Sequence, residues 1–168
     1  KHNVSGIMTA HLHIPSIDSV ANRASSLSPL VVNGILKDSL GYNGLIFTDG
    51  LDMRGVSKFF KAGEIELKAL EAGNDILLLP QNPVTSIKTI IAAIDSGILD
   101  SNIINNACKK VLNAKYTVGL NKFHYIDDQN IISDLNSLKG NYLNVRLVNS
   151  AITCIKNENN FIPLLNSS

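Results

Sequence analysis

The sequence predicts an α/β fold built from parallel strand–helix units. Three observations support this prediction. Apolar strands and amphipathic helices alternate up to about residue 117. The strands are nearly continuous apolar runs, as expected when helices cover a sheet or when strands line a closed barrel. Only three such strands occur before that point, and an eight-stranded barrel needs roughly 250 residues, so we expect a partial barrel or a small open sheet.

Local patterns define each element. Ser28 and Asn82 each precede a proline, which is typical of a helix cap followed by the first helical position. Gly41 and Gly73 follow the last turns of two predicted helices, where glycine commonly ends a helix. The predicted strands are 4–12, 45–49 and 75–79. The predicted helices are 29–40, Glu64–Ala72, 84–95 and 101–117.

The pattern changes after Gly119. Residues 120–137 lack periodicity and are rich in Asn and Asp, which is typical of a linker. The elements predicted after it are a helix at 138–149, a β-branched strand at 151–155, a turn at 156–160 and a further apolar run. The predicted organisation is a first α/β domain at 1–119, a linker at 120–137 and the start of a second domain at 138–168.

Composition limits the classes of function. The net charge of +1 gives no sign of a nucleic-acid partner. No apolar run approaches 18 residues, and no signal-peptide pattern occurs, so we expect no membrane span. Cys108 and Cys154 fall at apolar positions, which predicts two buried thiols. The chain enters a strand almost directly after Lys1, and we therefore expect it to be a piece of a longer protein.

The main candidate for chemistry lies in the stretch GYNGLIFTDGLDMRGV at 41–56. Its apolar strand ends on Asp49, and catalytic groups are displayed at the carboxyl ends of parallel strands. The alternative is that Asp49 caps the next helix, and the residues alone leave both possibilities open. Gly50 favours function, because glycine leaves open space beside the carboxylate.

The other candidates are less specific. Asp52 follows three residues later and is better explained as a helix-start residue. Met53 could either pack or contact a ligand from the loop after the strand. His11 and His13 alternate along a strand and face opposite sides, so they cannot chelate a metal together. His11 either lines a site and binds substrate or is an ordinary core histidine. No phosphate-binding glycine pattern or nucleophile elbow occurs, and we expect no cofactor.

Four stretches of the sequence resemble a known enzyme family. They are GIMTAHLHIPSID (6–18), ASSLSPLVVNGILKDSLGYNGLIFTDGLDMRGV (24–56), EIELKALEAGNDILLLP (64–80) and LVNSAITCIKNENNFIPLL (147–165). The first three resemble glycoside hydrolase family 3, most of all its β-N-acetylglucosaminidase (β-N-acetylhexosaminidase) branch. The fourth resembles the start of the family's second domain, an αβα sandwich. The resemblance implies that 1–119 is the C-terminal portion of a (β/α)8 TIM-like barrel, with its sixth, seventh and eighth strands.

The resemblance also implies an activity. Asp49 aligns with the nucleophile of a retaining hydrolase that removes terminal β-linked N-acetylglucosamine through a covalent glycosyl-enzyme. In this branch the acid/base is a histidine on a loop reading Lys-His-Phe-Pro-Gly-His-Gly before the sixth strand. That loop is absent from this sequence, so we expect the chain alone to be inactive. Cell-wall turnover, a peptidoglycan-derived substrate and a periplasmic or extracellular location are the expectations for the full-length protein.

Three alternatives remain at this point. One is a β-glucosidase or β-xylosidase of the same family. Another is a non-catalytic half-barrel scaffold, which would associate with itself through exposed barrel edges. The last is a phosphoacceptor receiver domain, which also ends an apolar strand on Asp. A receiver needs an acidic pair after its first strand, and no such pair follows Leu12.

Overall fold

The structure is a computed structural model that describes residues 4–122, 125, 127–160 and 162. Contacts within the chain divide it into two compact units, Lys1–Phe123 and His124–Ser168. Among the described residues, none of the helices is both long and apolar enough to cross a bilayer.

A three-stranded parallel sheet forms the centre of the first unit. Its strands are β1 (Gly6–Thr9), β2 (Leu45–Gly50) and β3 (Ile76–Leu78), in the order β1–β2–β3. β1 pairs with β2 from Gly6 opposite Leu45 to Thr9 opposite Thr48. The pairing of β2 with β3 shifts register between Phe47 and Gly50. The predicted α/β class with parallel strands is therefore confirmed, with β1 shorter than the predicted 4–12.

Helices follow each strand. Between β1 and β2 lie a 3-10 helix (Ser25–Leu27) and a π-helix (Leu30–Ser39); between β2 and β3 lie α1 (Arg54–Ser57) and α2 (Glu64–Ala72). After β3 come α3 (Pro83–Asp95) and α4 (Ser101–Thr117). Three of the predicted caps are observed: Asn82 accepts a hydrogen bond from the Thr85 N–H at 3.1 Å, Gly73 ends α2 in the left-handed conformation, and Gly41, with a φ of +65°, follows the π-helix. The cap predicted at Ser28 is wrong by one residue, because Pro29 is the N-cap residue of the π-helix.

The two faces of the sheet differ in burial. Ile46 is fully buried and packs with Val32 of the π-helix and Ala72 of α2. Because side chains alternate along a strand, Phe47 points to the opposite face. Met8, which pairs with Phe47, is 57% exposed. The helices therefore bury one face of the sheet, while the other carries exposed apolar side chains.

The predicted burial of the two cysteines is wrong, since Cys108 and Cys154 are both exposed. Among the described residues of α4, Ala107 is the only buried one. Ile103 and Ile104 are partly buried against α2 and α3 residues. The apolar stripe of α4 therefore packs mainly through its first turns and leaves Cys108 beside the contact.

The second unit contains short helices. They are α5 (Ile131–Leu135), α6 (Leu138–Ala151) and a 3-10 helix (Glu158–Asn160). α6 confirms the helix predicted at 138–149, whereas α5 lies inside the predicted linker. The strand predicted at 151–155 is wrong, because Ala151 closes α6 and residues 152–155 pair with no strand among the described residues. β-Branched residues favour a strand only where a partner strand is present. The apolar run at 161–165 lies outside the described residues except for Ile162.

Candidate active site

The carboxyl ends of the three strands meet along one edge of the sheet. Thr9 of β1 lies opposite Thr48, and Leu78 of β3 lies opposite Gly50. Asp49 therefore stands at the end of the middle strand, with a neighbouring strand on each side. In parallel α/β folds this edge is where ligands bind and catalytic groups are displayed.

The Asp49 carboxylate is held by the backbone of its own strand. It is partly buried, and its Oδ1 accepts a hydrogen bond from the Gly50 N–H at 2.8 Å. The helix that follows, α1, has Met53 as its N-cap residue and no side-chain cap bond. Asp49 therefore does not cap a helix, which removes the structural alternative that the sequence left open. The exposed Asp52 is also not the N-cap residue of α1.

Gly50 allows a close approach of the residues around Asp49. A Cβ atom at Gly50 would lie 2.9 Å from Asp52 Oδ1 and 3.5 Å from both Leu79 Cδ1 and Met53 Cγ. The Met53 and Leu79 side chains, 47% and 66% exposed, thus converge beside the nucleophile candidate. Leu79 has a φ of +47°, which is unusual for a residue with a branched side chain. Such backbone strain is found at ligand-binding sites, and the only local signal for it in the sequence is Pro80, which restricts the residue before it.

His11 reaches the same place from the end of β1. Its Nε2 lies 2.9 Å from the Gly50 carbonyl oxygen, and its Nδ1 lies 2.6 Å from Ser26 Oγ. His13, two residues further on, is exposed. Asp49, His11 and Met53, the three site residues predicted from the sequence, therefore all lie around Gly50. The substrate-binding roles predicted for His11 and Met53 stay predictions.

A buried polar network supports this edge from behind. The Asn74 amide nitrogen donates to the Ser26 carbonyl at 2.8 Å and to the Ala69 carbonyl at 2.7 Å. The Thr9 hydroxyl lies 3.0 Å from Asn74 Oδ1 and 3.1 Å from the Phe47 carbonyl. Buried amides that find all their partners fix the relative positions of the elements that they join. Sequence reasoning missed Asn74, although a polar residue directly before an apolar strand was a usable signal.

The loop after β1 is fixed by a buried ion pair that sequence reasoning also missed. Arg23 donates from Nε and Nη2 to the two oxygens of Asp18 at 2.7 and 2.8 Å, and the Ser28 hydroxyl donates to Asp18 Oδ2. The Arg23 hydrogen bonds, followed by the Ser28 hydrogen bond, hold the pKa of Asp18 well below its usual range. The bidentate pair holds the loop 10–24 together, and the Ser28 hydroxyl bond to Asp18 ties that loop to the residues before the π-helix.

Replacing Arg23 with alanine is expected to lower the free energy of unfolding by about 3 kcal/mol at pH 7, because the Asp18 charge would stay buried without its partner. The pKa of Asp18 is lower in the folded than in the unfolded state, so its stabilisation is complete above about pH 5 and is lost as the pH falls below about 4. The difference between wild type and variant should therefore shrink between pH 5 and pH 3. Urea unfolding at both pH values measures it.

Arg54, an exposed arginine, provides the matched control for this prediction. Arg54→Ala should change stability by less than about 0.5 kcal/mol at either pH. Equal effects of the Arg23 and Arg54 substitutions, or a difference that does not depend on pH, would contradict the structural role of the Asp18 pair.

The family of the chain follows from its match to a family model. Residues 1–114 match the model described as "Glycosyl hydrolase family 3 N terminal domain". This chain belongs to glycosyl hydrolase family 3. The match covers both the sheet and the edge that carries Asp49, so the residues described above lie within the family 3 domain.

Several proteins similar to this family 3 chain are named as β-hexosaminidases or β-N-acetylglucosaminidases. It is 37% identical over 83 residues to a "Beta-hexosaminidase A" of Pseudoalteromonas piscicida, covering 44% of this chain and 14% of that protein. It is 23% identical over 169 residues to a "Beta-N-acetylglucosaminidase/beta-glucosidase" of Cellulomonas fimi, covering 96% of this chain and 30% of that protein. A solved family 3 β-N-acetylglucosaminidase from Paenibacillus sp. str. FPU-7 has a TM-score of 0.69 at 29% identity, covering 74% of this chain and 24% of that chain.

These comparisons confirm the family and the fold class expected from the sequence. The chain spans less than a third of the length of each of these three proteins. The predicted domain boundaries at 119 and 137 stay predictions.

A second polar cluster of the family 3 chain lies at the opposite end of the strands. Asp75, directly before β3, accepts from the Ile46 N–H at 2.9 Å and from Lys110 Nζ at 2.5 Å. Lys37 lines the same cleft of about 230 Å³, and burial lowers the pKa of its ammonium group. Polar groups at the amino ends of barrel strands indicate stability rather than catalysis. Across the described residues, no three His, Cys, Asp or Glu side chains form a group that could hold a metal ion.

Proposed function

We propose that this chain supplies the nucleophile, Asp49, of a retaining glycoside hydrolase that removes terminal β-linked N-acetylglucosamine or another N-acetylhexosamine. The observation that carries the proposal is the position of the Asp49 carboxylate at the end of the middle strand, oriented by the Gly50 N–H at 2.8 Å. Membership of family 3 supports the reaction class. The names of the β-hexosaminidase relatives, 35–39% identical over about half of this chain, support the sugar.

The proposed reaction has two steps. A carboxylate oxygen of Asp49 attacks the anomeric carbon, the bond to the leaving oxygen breaks, and a covalent glycosyl-enzyme forms. A separate acid donates a proton to the leaving oxygen. In the second step that residue takes a proton from water, which attacks the same carbon and releases the sugar with its configuration retained. Two inversions at one carbon explain why a single nucleophile gives retention.

The acid/base residue is proposed to come from a part of the full-length protein outside this chain. Asp52 is the next carboxylate along the chain, but its side chain is exposed on the loop before α1. Two carboxyl groups act together in glycoside hydrolysis only when they face the glycosidic bond from two sides. The chain alone is therefore expected to lack turnover, and residues 138–168 are proposed to begin the αβα sandwich domain of the family.

Substrate selectivity tests this function. We expect the full-length protein to hydrolyse an aryl β-N-acetylglucosaminide at least about tenfold faster, in kcat/KM, than the matching aryl β-glucoside and β-xyloside. A site that makes hydrogen bonds to a substrate amide rejects substrates that lack it. The chain on its own serves as the control and should show no turnover. A preference for the glucoside or xyloside would indicate that the protein is a β-glucosidase or β-xylosidase. Turnover by the chain alone would contradict the proposal that the acid/base residue lies outside this chain.

Association is the test of the scaffold alternative. The sheet face that bears Met8, 57% exposed, is apolar, and exposed apolar patches promote contact between molecules. Self-association of the isolated chain through this face, measured by sedimentation, together with no hydrolysis by the full-length protein, would favour a non-catalytic scaffold over the hydrolase.

A further inference from the structure

His11 is held in one tautomer by two partners of different chemistry. A carbonyl oxygen only accepts hydrogen bonds, so the 2.9 Å contact with the Gly50 oxygen requires a proton on Nε2. In the neutral ring, Nδ1 then accepts from the Ser26 hydroxyl, 2.6 Å away. Ser26 is fully buried, so this hydroxyl is shielded from competing water. The ring therefore presents a fixed donor to the Gly50 carbonyl.

The peptide group between Gly50 and Leu51 is held from both neighbouring strands. On the β1 side, its carbonyl accepts from His11 Nε2 at 2.9 Å. On the β3 side, its N–H, which belongs to Leu51, donates to the Leu78 carbonyl at 2.9 Å. The Gly50 carbonyl also accepts from the Met53 N–H at 3.1 Å, so His11 shares this carbonyl with the turn that leads into α1. Glycine has the greatest backbone freedom of any residue, and these hydrogen bonds together restrict the chain directly after the nucleophile.

The orientation of Gly50 affects the nucleophile directly. The Gly50 N–H donates to Asp49 Oδ1 at 2.8 Å, and the carbonyl of the same residue accepts from His11 Nε2. Gly50 therefore connects the hydrogen bond that orients Asp49 with the one that His11 makes. A rotation about the Gly50 backbone would therefore move the donor that orients the carboxylate. A misplacement of about 1 Å at a reacting group can lower a rate about 100-fold.

We propose that His11 is a positioning residue, whose Nε2–H fixes the Gly50 backbone and through it the orientation of the Asp49 carboxylate. The inference rests on the proposed role of Asp49 as nucleophile. Both ring nitrogens of His11 are already bonded to the protein, so His11 acts through Gly50 rather than by a hydrogen bond to the sugar. This role differs from the substrate contact that the sequence suggested for the same residue.

The test compares three variants of the full-length protein. His11→Phe keeps a ring but removes both nitrogens, and His11→Gln restores an N–H donor toward Gly50 together with an acceptor toward Ser26. His13→Phe, at an exposed histidine two residues away, is the matched control. The readout is the rate of glycosyl-enzyme formation with an activated aryl N-acetylglucosaminide, measured in the pre-steady state, with KM measured alongside and the adduct located by mass spectrometry.

We expect His11→Phe to slow formation of the adduct about 10- to 100-fold with KM changed by less than about threefold. His11→Gln should recover most of the rate, and His13→Phe should match wild type. A wild-type rate in His11→Phe, or a raised KM with an unchanged rate, would overturn the positioning role. If His11→Phe does not fold, Ser26→Ala replaces it, and a wild-type rate in that variant would also count against the proposal.

The same experiment separates this inference from the proposed function. If wild type forms no adduct at Asp49, the nucleophile assignment fails, and the inference that depends on it fails as well. If wild type forms the adduct and the His11 variants form it equally fast, Asp49 stands as the nucleophile and only the role of His11 is wrong.

Discussion

Replacing Asp49 with alanine is expected to lower hydrolysis of an aryl β-N-acetylglucosaminide by the full-length protein at least about 10⁴-fold, because losing a nucleophile removes the covalent route. KM should change far less than kcat. The folded state should survive, since Asp49 makes its hydrogen bond to the adjacent Gly50 N–H and lies at the end of its strand. Steady-state kinetics with wild type and variant measures the effect, and a thermal melt checks the fold.

Rescue by azide distinguishes a nucleophile from a residue that merely shapes the site. In Asp49→Ala the space left by the carboxylate admits a small anion, which can attack the anomeric carbon once and give the inverted α-glycosyl azide. Restored turnover with that product supports the nucleophile. Asp52→Asn, at an exposed carboxylate three residues away, is the control and should keep near-wild-type activity. Loss of activity in Asp52→Asn with little effect from Asp49→Ala would exchange the roles of the two residues.

The sheet and the position of Asp49 could be predicted from the sequence because both depend on local signals. An apolar run marks the strand β2, and Asp49, next to its last residue Gly50, is read directly from the chain. The helix at 29–40 was also predictable, but its type was not: the Leu40 N–H donates to the Ile35 carbonyl at 2.9 Å, five residues earlier. Helix propensity does not distinguish this pattern from an α-helix.

The contacts around Gly50 could not be predicted, because they join residues far apart in sequence. His11 and Gly50 are 39 residues apart, and Asn74 and Ser26 are 48 apart. Such pairs depend on strand register and on where the 3-10 helix lies, neither of which a single sequence specifies. The strand expected at 151–155 failed for a related reason: its residues favour a strand, but no described partner strand is present for them.

The stability of the first unit depends on a glycine at the end of α2. Gly73 has a φ of +107°, and its N–H donates to the carbonyls of Ala69 and Leu70. A Cβ atom there would lie 2.0 Å from Asn33 Oδ1 and 2.6 Å from Lys37 Nζ. The backbone conformation therefore strains any side chain at this position, and a Cβ atom would also force the ends of the Asn33 and Lys37 side chains of the π-helix to move.

Gly73→Ala is expected to lower the free energy of unfolding by about 3 kcal/mol, of which backbone strain accounts for roughly 1 to 2 kcal/mol and displacement of the Asn33 side chain for the rest. The urea midpoint of the full-length protein, followed by circular dichroism, measures it. Gly97→Ala is the matched control, because Gly97 has a φ of +75° but open space where a Cβ would lie. The Gly97→Ala variant should lower the free energy of unfolding only by the contribution of backbone strain. If the two variants lose the same stability, the contact between α2 and the π-helix adds nothing, and the close packing at Gly73 is not a constraint on the fold that supports Asp49.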